Sequence, residues 1–328
     1  MCYNMTEGNR KPENTGTMNA LTTIEAGAIQ RQAVAEDVIT RYLASLDVKP
    51  RSRETYRAAL KHFTGWIIER GKAATDRTDI LAYKAHLQAK YRKSTFGAYF
   101  TAVKGLYTYL EAEKLYPNIA AGVKGPRNRK SGRKTCLSKE QAVNLLGSMA
   151  GSGTDQLRDY AIVNLLVRTG LRTIEIQRAN IEDIQQEDGA AVLYIQGKGC
   201  DAKDAFVVLT ESTLQPIRAY IEARGQVQGD APLFVAHSNR NQNGRMTTRS
   251  ISRLIKSALR GSGIDSERIT AHSLRHTAVT LALLAGASVQ EAQRMARHSD
   301  INTTLIYAHN IDRIGKAPER RIDAFLSA

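Results

Sequence analysis

Hydrophobic residues recur with a helical period through the first part of the chain after about residue 35. Four runs follow one another, and each places apolar residues three or four positions apart. Four helices within about eighty residues predict a compact bundle. The residues that carry the runs are Val38, Tyr42 and Leu43; Tyr56, Leu60, Phe63, Trp66 and Ile67; Ile80, Leu81, Tyr83, Lys84 and Leu87; and Phe96, Tyr99, Phe100, Val103, Leu106, Tyr107 and Leu110.

Beyond residue 135 the chain mixes helical runs with two extended ones. Ser138 and Gln141 form a capping box that begins a helix, and Gly170 ends a later one. The two alternating runs predict strands joined by a turn that contains Lys198. The predicted helices cover Leu137 to about Met149, Asp155 to Thr169, Thr173 to Arg178 and Thr247 to Gly261, and the strands cover Ala191 to Gln196 and Ala205 to Leu209.

These patterns predict a mainly α protein with a small antiparallel β-sheet, in which a helical domain precedes an α+β domain. The first segment, 1–35, is polar and lacks periodicity, so we expect it to be disordered. The helical domain is predicted over 36–116 and the α+β domain over 136–328. Glycine, proline and basic residues fill the stretch 117–135, which we interpret as a basic linker.

The stretch 270–309 carries polar residues that packing alone does not explain. His272 and Arg275 stand three positions apart, so they are neighbours on one face of a helix. They point away from an apolar stripe that includes Leu274 and Ala278. We expect the stripe to pack and the pair to be left free to bind.

Two further residues follow the pair. A capping box of Ser288 and Glu291 begins the next helix, which runs until His298. Asp300 can cap a last helix, and that helix carries Tyr307. A His-x-x-Arg pair, a later histidine and a tyrosine indicate a binding or reaction centre.

Charge indicates the kind of partner. The 328 residues carry a formal net charge of +15, which predicts a polyanionic partner, nucleic acid before an anionic membrane. No apolar run is long enough for a membrane span, and the N-terminus has no apolar core of a secretion signal. Cys2, Cys136 and Cys200 lack disulfide or zinc spacing, so we expect a cytoplasmic protein.

Basic residues cluster on the helical domain and on the linker. Any single one is more often part of a solvated surface than of a binding site. Together, and with the overall charge, they predict a surface that faces DNA phosphates. The predicted DNA-binding residues are Arg51, Arg53, Arg57, Lys61, Lys90, Arg92, Lys93, Lys104, Arg127, Arg129 and Lys130.

Four motifs in this order resemble those of the tyrosine site-specific recombinases, the phage integrase family. They are TGLRTIEI at 169–176, GKG at 197–199, HSLRH at 272–276 and HSDINTTLIYAH at 298–309. The region from about 36 to 115 is similar to the core-binding, SAM-like domain of that family. The resemblance implies a catalytic set of Arg172, Lys198, His272, Arg275, His298 and Tyr307.

The resemblance also implies a mechanism. The two arginines bind the non-bridging phosphate oxygens, and Tyr307 attacks phosphorus to form a 3′-phosphotyrosyl link. His272 is the expected base, Lys198 the expected acid for the leaving 5′ oxygen, and His298 a phosphate ligand. No cofactor or metal is expected. Where the family usually has glycine, this chain has Arg297, which we expect to change the local backbone or to add a phosphate contact.

The leading hypothesis is a tetramer that exchanges strands between two duplex sites through a Holliday junction. Integration or excision of mobile DNA, dimer resolution and inversion all fit it, with or without accessory proteins. A type IB topoisomerase and a non-catalytic DNA-binding relative are the alternatives. His276 and His309 are expected to hydrogen-bond around the site, and an apolar set near Phe325 to pack on its own domain or on a neighbouring subunit.

Overall fold

The computed structural model describes residues 36–72, 75–126, 135–197, 202–237, 242–311 and 318–327. The chain divides into two compact units, one ending at residue 129 and the other beginning at residue 130. The described residues are mainly helical with one small antiparallel sheet, which confirms the predicted fold class. The domain bounds proposed above stay predictions, and segment 1–35 lies outside the described residues.

The first unit is a bundle in which the four predicted runs are helices. Its core consists of apolar side chains from all four, among them Leu43, Leu60, Tyr83 and Phe100. The third helix starts at a capping box, in which the Asp76 carboxylate accepts hydrogen bonds from backbone N–H groups of the first turn. The helices are α1 (36–45), α2 (Pro50–Glu69), α3 (Arg77–Lys90) and α4 (Lys93–Ala112).

Part of the predicted linker packs on this bundle. Ala120 and Val123 are buried in its core, and Nη1 of Arg77 donates to the carbonyl of Ala121 at 2.7 Å. These apolar residues lie between the glycines and prolines that suggested a linker. Burial of even a few apolar side chains therefore attaches this stretch to the bundle.

The second unit surrounds the long buried helix α6 with shorter helices and a sheet. The sheet has the order β1-β2-β3, and both strand pairs are antiparallel. Ile162, Leu166, Leu193 and Leu274 belong to one continuous core. The elements are α5 (Lys139–Gly147), α6 (Thr154–Thr169), α7 (Thr173–Arg178), β1 (Ile184–Glu187), β2 (Ala190–Ile195), β3 (Ala205–Val208), α8 (Glu211–Arg224), α9 (Thr248–Gly261), α10 (Ala271–Leu284), α11 (Val289–Ala296), α12 (Asn302–Ile311) and α13 (Pro318–Leu326).

The sequence patterns missed three of these elements, β1, α8 and α13, and at α13 they indicated an apolar set but no helix. Strand β1 reads IQQE, so it lacks the apolar alternation that identified β2 and β3. Helix α8 contains Pro216, a residue that usually interrupts a helix interior. Leu214, Ile217 and Tyr220 nevertheless bury one face of α8 in the core of the unit, so tertiary packing outweighs the local signal.

The last helix, α13, exposes its apolar side chains. Phe325 is 83% exposed and Leu326 is 76% exposed. Of the two expectations for this apolar set, burial of these side chains against their own domain is therefore wrong for the described residues. Across the described part of the chain, no helix combines the length and the apolar character that crossing a membrane requires.

Candidate active site

Arg275 is the most deeply buried of the predicted catalytic side chains that the structure describes. It lies on α10, which packs against α6, α11 and α12, and only 2% of its surface is exposed. Nη1 donates to the carbonyl of Gly170 at 2.6 Å, and Nη2 donates to the carbonyl of Ala296. The expectation that Arg275 is left free is therefore wrong, whereas its neighbour His272 is exposed.

The carbonyl group that accepts the hydrogen bond from Arg275 Nη1 belongs to a glycine in a turn, and that turn sets its position. Gly170 ends α6 with φ +64°, a left-handed conformation that glycine adopts without a steric penalty. A Cβ placed there would meet the side chain of Ala278 at 3.3 Å. The turn thus lets α6 end directly against α10 and points its last carbonyl at the guanidinium.

Arg172 stands at the start of α7 and is held by a carboxylate one turn later. Its Nη1 donates to Glu175 Oε1 at 2.8 Å, and its backbone N–H donates to Glu175 Oε2 at 2.7 Å. The Glu175 side chain is fully buried, whereas the Arg172 side chain is 29% exposed. The buried carboxylate therefore fixes the arginine at the surface of the site.

Arg297 is a second partner of the same carboxylate. Its Nη2 donates to Glu175 Oε2 at 3.0 Å. Its backbone has φ +52° and ψ 49°, the left-handed conformation that glycine favours. The arginine therefore occupies a turn that suits glycine, and the expected change of the local backbone or added phosphate contact stays a prediction.

Tyr307 is buried and hydrogen-bonded to a histidine. Only 4% of its surface is exposed, and its Oη is hydrogen-bonded to Nδ1 of His276. The rings of His276 and His272 meet edge to face with centroids 4.3 Å apart. Burial raises the pKa of the Tyr307 phenol to about 12, although Arg275 nearby lowers it. The two imidazoles and the phenol thus form one contiguous group.

His298 lies beside the Tyr307 ring. The two rings are stacked with centroids 6.3 Å apart, and Nδ1 of His298 is hydrogen-bonded to Thr304 Oγ1 at 2.9 Å. Thr304 is fully buried on α12. The Thr304 hydroxyl on α12 therefore orients the imidazole ring of His298.

An open cleft of about 590 Å³ lies beside these residues, and Arg172, His272 and Arg275 line it. Ser252 and Lys256 of α9 line it too, and sequence reasoning missed both. The apolar residues of α9 recur every fourth position and are buried, so its polar positions face away from the core. That periodicity is the signal that could have identified them.

The charge balance of the cleft favours an anion. Burial, together with the neighbouring cations Arg172 and Arg297, lowers the pKa of Arg275 to about 10, while Glu175 opposes this shift. Arg172 and Arg297 bond to the buried Glu175 carboxylate, and Arg275 bonds to backbone carbonyls. Three guanidinium groups thus lie near one carboxylate, and this net positive charge favours an anion such as a phosphate.

Lys198 lies outside the described residues, but the ends of its turn are described. Nη1 of Arg178 donates to the carbonyl of Gly197 at 3.0 Å. On the other side, Nζ of Lys203 lies 2.6 Å and 2.7 Å from the carboxylate oxygens of Asp183. Both contacts attach the turn to the body of the unit on either side of Lys198.

The predicted DNA-binding residues of the first unit differ in exposure. Arg53 and Lys104 are half-buried rather than exposed, and Nη2 of Arg53 donates to the carbonyl of Leu46 at 3.0 Å. Arg127, Arg129 and Lys130 lie outside the described residues. The residues that are exposed as expected are Arg51, Arg57, Lys61, Lys90, Arg92 and Lys93.

Comparison with known proteins identifies the family. Residues 135–313 match the profile of the Phage integrase family. Tyrosine recombinase XerD of Rhizobium meliloti (strain 1021) is 30% identical over 271 residues, which cover 79% of this chain and 85% of the relative. This chain is a tyrosine recombinase of the phage integrase family. It is therefore an enzyme that breaks and rejoins DNA.

Solved structures share the fold of this tyrosine recombinase. The XerH site-specific recombinase bound to palindromic difH substrate, in a post-cleavage complex, has a TM-score of 0.68 and 21% identity, and the match covers 84% of this chain and 80% of that one. A lambda integrase tetramer bound to a Holliday junction has a TM-score of 0.63 and 18% identity, with coverage of 83% and 76%.

Sequence reasoning about this recombinase also missed Glu175, which the structure places in the site, and missed the partner of His276. Glu175 follows Arg172 by three positions, a spacing typical of a capping interaction, and that signal was available. His276 was expected to hydrogen-bond near the site, but not to be the partner of Tyr307. In the described residues, no group of three or more His, Cys, Asp and Glu side chains could hold a metal ion.

Proposed function

We propose that this recombinase cleaves DNA by attack of Tyr307 Oη on a phosphorus atom of the backbone. The bond from phosphorus to the 5′ oxygen breaks, and a 3′-phosphotyrosyl link and a free 5′ hydroxyl result. The observation that supports this most is the approach of Arg172, Arg275, His272, His298 and Tyr307 to one another from separate segments. Their order in the sequence alone does not require it.

The arginines are proposed to stabilise the charge of the transition state. Attack by a phenolate or phenol places extra negative charge on the non-bridging oxygens, and guanidinium groups can bind these bidentately. Arg275 is prepositioned by two backbone carbonyls, and Arg172 by Glu175. Donors held in place before the reaction contribute most to catalysis, because they need no reorganisation.

Proton transfer is proposed to use the histidines and the lysine. The Tyr307 phenol, whose pKa burial raises to about 12, must lose its proton to a base. His276 is already hydrogen-bonded to it, and His272 lies next to His276 and lines the cleft. We propose that the proton passes to this pair of imidazoles, while Lys198 protonates the departing 5′ oxygen.

Tyr307 must also leave its buried position to reach a phosphate in the cleft. It lies on α12, the last helix before the stretch 312–317, which is outside the described residues. In the proposed order, the phenol proton passes to His276 first, and the hydrogen bond between the two residues is then released. A buried nucleophile also protects DNA from cleavage before assembly is complete.

Strand exchange is proposed to occur in a tetramer on two DNA sites, through a Holliday junction. The exposed Phe325 and Leu326 of α13 support self-association, since large apolar side chains at the surface are typical of interfaces. The lambda integrase tetramer has the same fold. A cytoplasmic location and accessory DNA-bending proteins belong to the same proposal. Flanking direct or inverted repeats would distinguish integration, excision, dimer resolution and inversion.

A covalent trapping experiment tests the nucleophile. The probe is a duplex that the wild-type protein selects from a randomised pool, prepared with a nick at each position in turn, so that cleavage releases a short 5′-hydroxyl strand. The wild-type protein should form adducts resistant to denaturant that retain the 5′-labelled strand. Tyr307→Phe should form none, whereas Tyr160→Phe, a half-buried control on α6, should form them normally.

The same probe, together with a supercoiled plasmid that carries the selected site, separates the proposed reaction from two others. Adducts with Tyr307→Phe would overturn the nucleophile assignment. Relaxation of supercoiled DNA without pairing of two sites would favour a topoisomerase reaction. Specific binding without adducts at any nick position would favour a non-catalytic role.

A further inference from the structure

The turn at Arg297 has an unusual residue for its backbone. Arg297 follows α11 with φ +52° and ψ 49°, and side chains larger than hydrogen are strained in this conformation. Glycine would end α11 here at lower conformational cost. The backbone conformation therefore does not favour arginine at this position. The contacts of the arginine side chain explain its presence.

The Arg297 side chain connects two elements that are far apart in the sequence. Its Nη2 donates to Glu175 Oε2 on α7 at 3.0 Å, and its Nη1 donates to the carbonyl of Met295 at 2.7 Å. The side chain is 16% exposed, and its carboxylate partner is fully buried. A buried charge pair of this kind is geometrically specific, because an unpaired Glu175 carboxylate would be costly in the interior.

Glu175 connects Arg297 to Arg172, because its carboxylate accepts hydrogen bonds from both arginines. Its Oε1 accepts from Arg172 Nη1 at 2.8 Å, and its Oε2 accepts from the Arg172 backbone N–H at 2.7 Å as well as from Arg297. The carboxylate thus has partners on both oxygens. A change in the position of Arg297 therefore changes the position of the carboxylate that holds Arg172.

The same turn also touches the other site residues. The carbonyl of Ala296, directly before Arg297, accepts from Nη2 of Arg275. His298, directly after it, stacks beside Tyr307 and is oriented by Thr304. One turn thus carries contacts to both arginines and places the histidine.

We propose that Arg297 is a positioning residue of the cleavage step, which links the turn after α11 to Glu175 and thereby sets the spacing of Arg172, Arg275 and His298 around the scissile phosphate. The role rests on the proposed function above. It requires no contact between Arg297 and DNA. Small displacements of groups that bind a transition state reduce reaction rates strongly, so the link acts on the rate of cleavage rather than on DNA affinity.

Arg297→Gly is the decisive variant, because it removes the side chain and leaves a turn that glycine favours. The melting temperature should stay the same or rise, because Glu175 keeps Arg172 as its partner and glycine relieves the strain of the left-handed turn. The dissociation constant for the selected DNA should stay within about twofold, while the single-turnover rate of adduct formation falls by about tenfold to a hundredfold. Arg294→Ala, which removes an exposed arginine from the same helix, should leave all three values close to those of the wild type.

A double-mutant cycle tests the path through Glu175. If Arg297 acts through the carboxylate, Glu175→Gln combined with Arg297→Gly should cleave as fast as Glu175→Gln alone, within about twofold. Losses that multiply would overturn the proposed path. They would indicate that Arg297 acts on the reaction independently.

Other outcomes also decide the question. Wild-type cleavage by Arg297→Gly would overturn the positioning role alone. A fall in DNA affinity equal to the fall in rate would overturn it and would indicate a direct contact between Arg297 and a phosphate. A lower melting temperature would also overturn it and would indicate a structural role for Arg297. Absence of adducts with the wild-type protein would instead overturn the proposed function, and the positioning role with it.

Discussion

The cations of the helical bundle and those of the active site differ in what surrounds them. Arg57 and Lys61 on α2 are exposed, and the side chain of Arg51 is 91% exposed. Arg275 is almost completely buried between two backbone carbonyls. Arg172 is bound to a buried carboxylate. One chain therefore uses the same type of residue in two physical settings.

The difference indicates two ways of binding phosphate. Exposed cations interact with DNA through water and mobile ions, so each contributes little, and geometry matters little. Buried guanidinium groups have given up hydration and are held by fixed acceptors, so they present donors in a defined geometry. We therefore propose that the bundle holds DNA, whereas the site recognises one phosphate and its transition state.

The largest effect is expected from removing the buried guanidinium group of Arg275. Arg275→Ala should lower the rate of adduct formation by at least about a hundredfold to a thousandfold, by analogy with loss of one oxyanion donor. It should also lower the free energy of unfolding by about 2–4 kcal/mol, because the carbonyls of Gly170 and Ala296 lose their donor inside the protein. Urea denaturation and single-turnover cleavage measure the two effects.

The matched change in the bundle is Arg57→Ala. Because Arg57 is exposed, its loss should change the free energy of unfolding by less than about 0.5 kcal/mol. Equal destabilisation by the two substitutions would contradict the distinction between the two settings.

A medium effect is expected from the buried phenol at high pH. Burial raises the pKa of Tyr307 from 10.0 to about 12, so the folded state retains a proton that the unfolded state loses in this range. The resulting stabilisation is present below pH 10 and is lost as the pH rises towards 12. Stability should therefore fall more steeply between these pH values in the wild type than in Tyr307→Phe, by up to about 2 kcal/mol.

Urea denaturation at several pH values between 9 and 12 measures this difference. Other buried tyrosines titrate in both proteins and cancel in the comparison. Parallel stability curves for the two proteins would contradict the assignment of a raised pKa to Tyr307.

The smallest effects are expected from single exposed cations of the bundle. Arg57→Gln and Lys61→Gln should each weaken DNA binding similarly for all sequences. Each should reduce the slope of log affinity against log salt by about one if the residue contacts a phosphate. The cleavage rate at saturating DNA should not change. A change in sequence preference would indicate contacts to bases instead and would be visible in binding titrations with two unrelated duplexes.

Much of the fold was predictable, because helices and strands follow local rules. The period of apolar residues located the bundle helices and strands β2 and β3, and capping residues located the starts of α5 and α11. Of the elements that were missed, β1 and α8 lack those local signals. The polar edge strand β1 exists because it pairs with β2, and the helix with an internal proline exists because its apolar face is buried in the core.

The sequence by itself determined which residue types are available to the site and in which order, since motif spacing is a property of the chain alone. Only the tertiary structure decided that Arg275 is buried, that His276 contacts the Tyr307 phenol, and that Glu175 joins Arg172 to Arg297. The reason is that these contacts link segments up to 122 residues apart. Periodicity reports which face of a helix is buried, but not which distant carbonyl or carboxylate that face will meet.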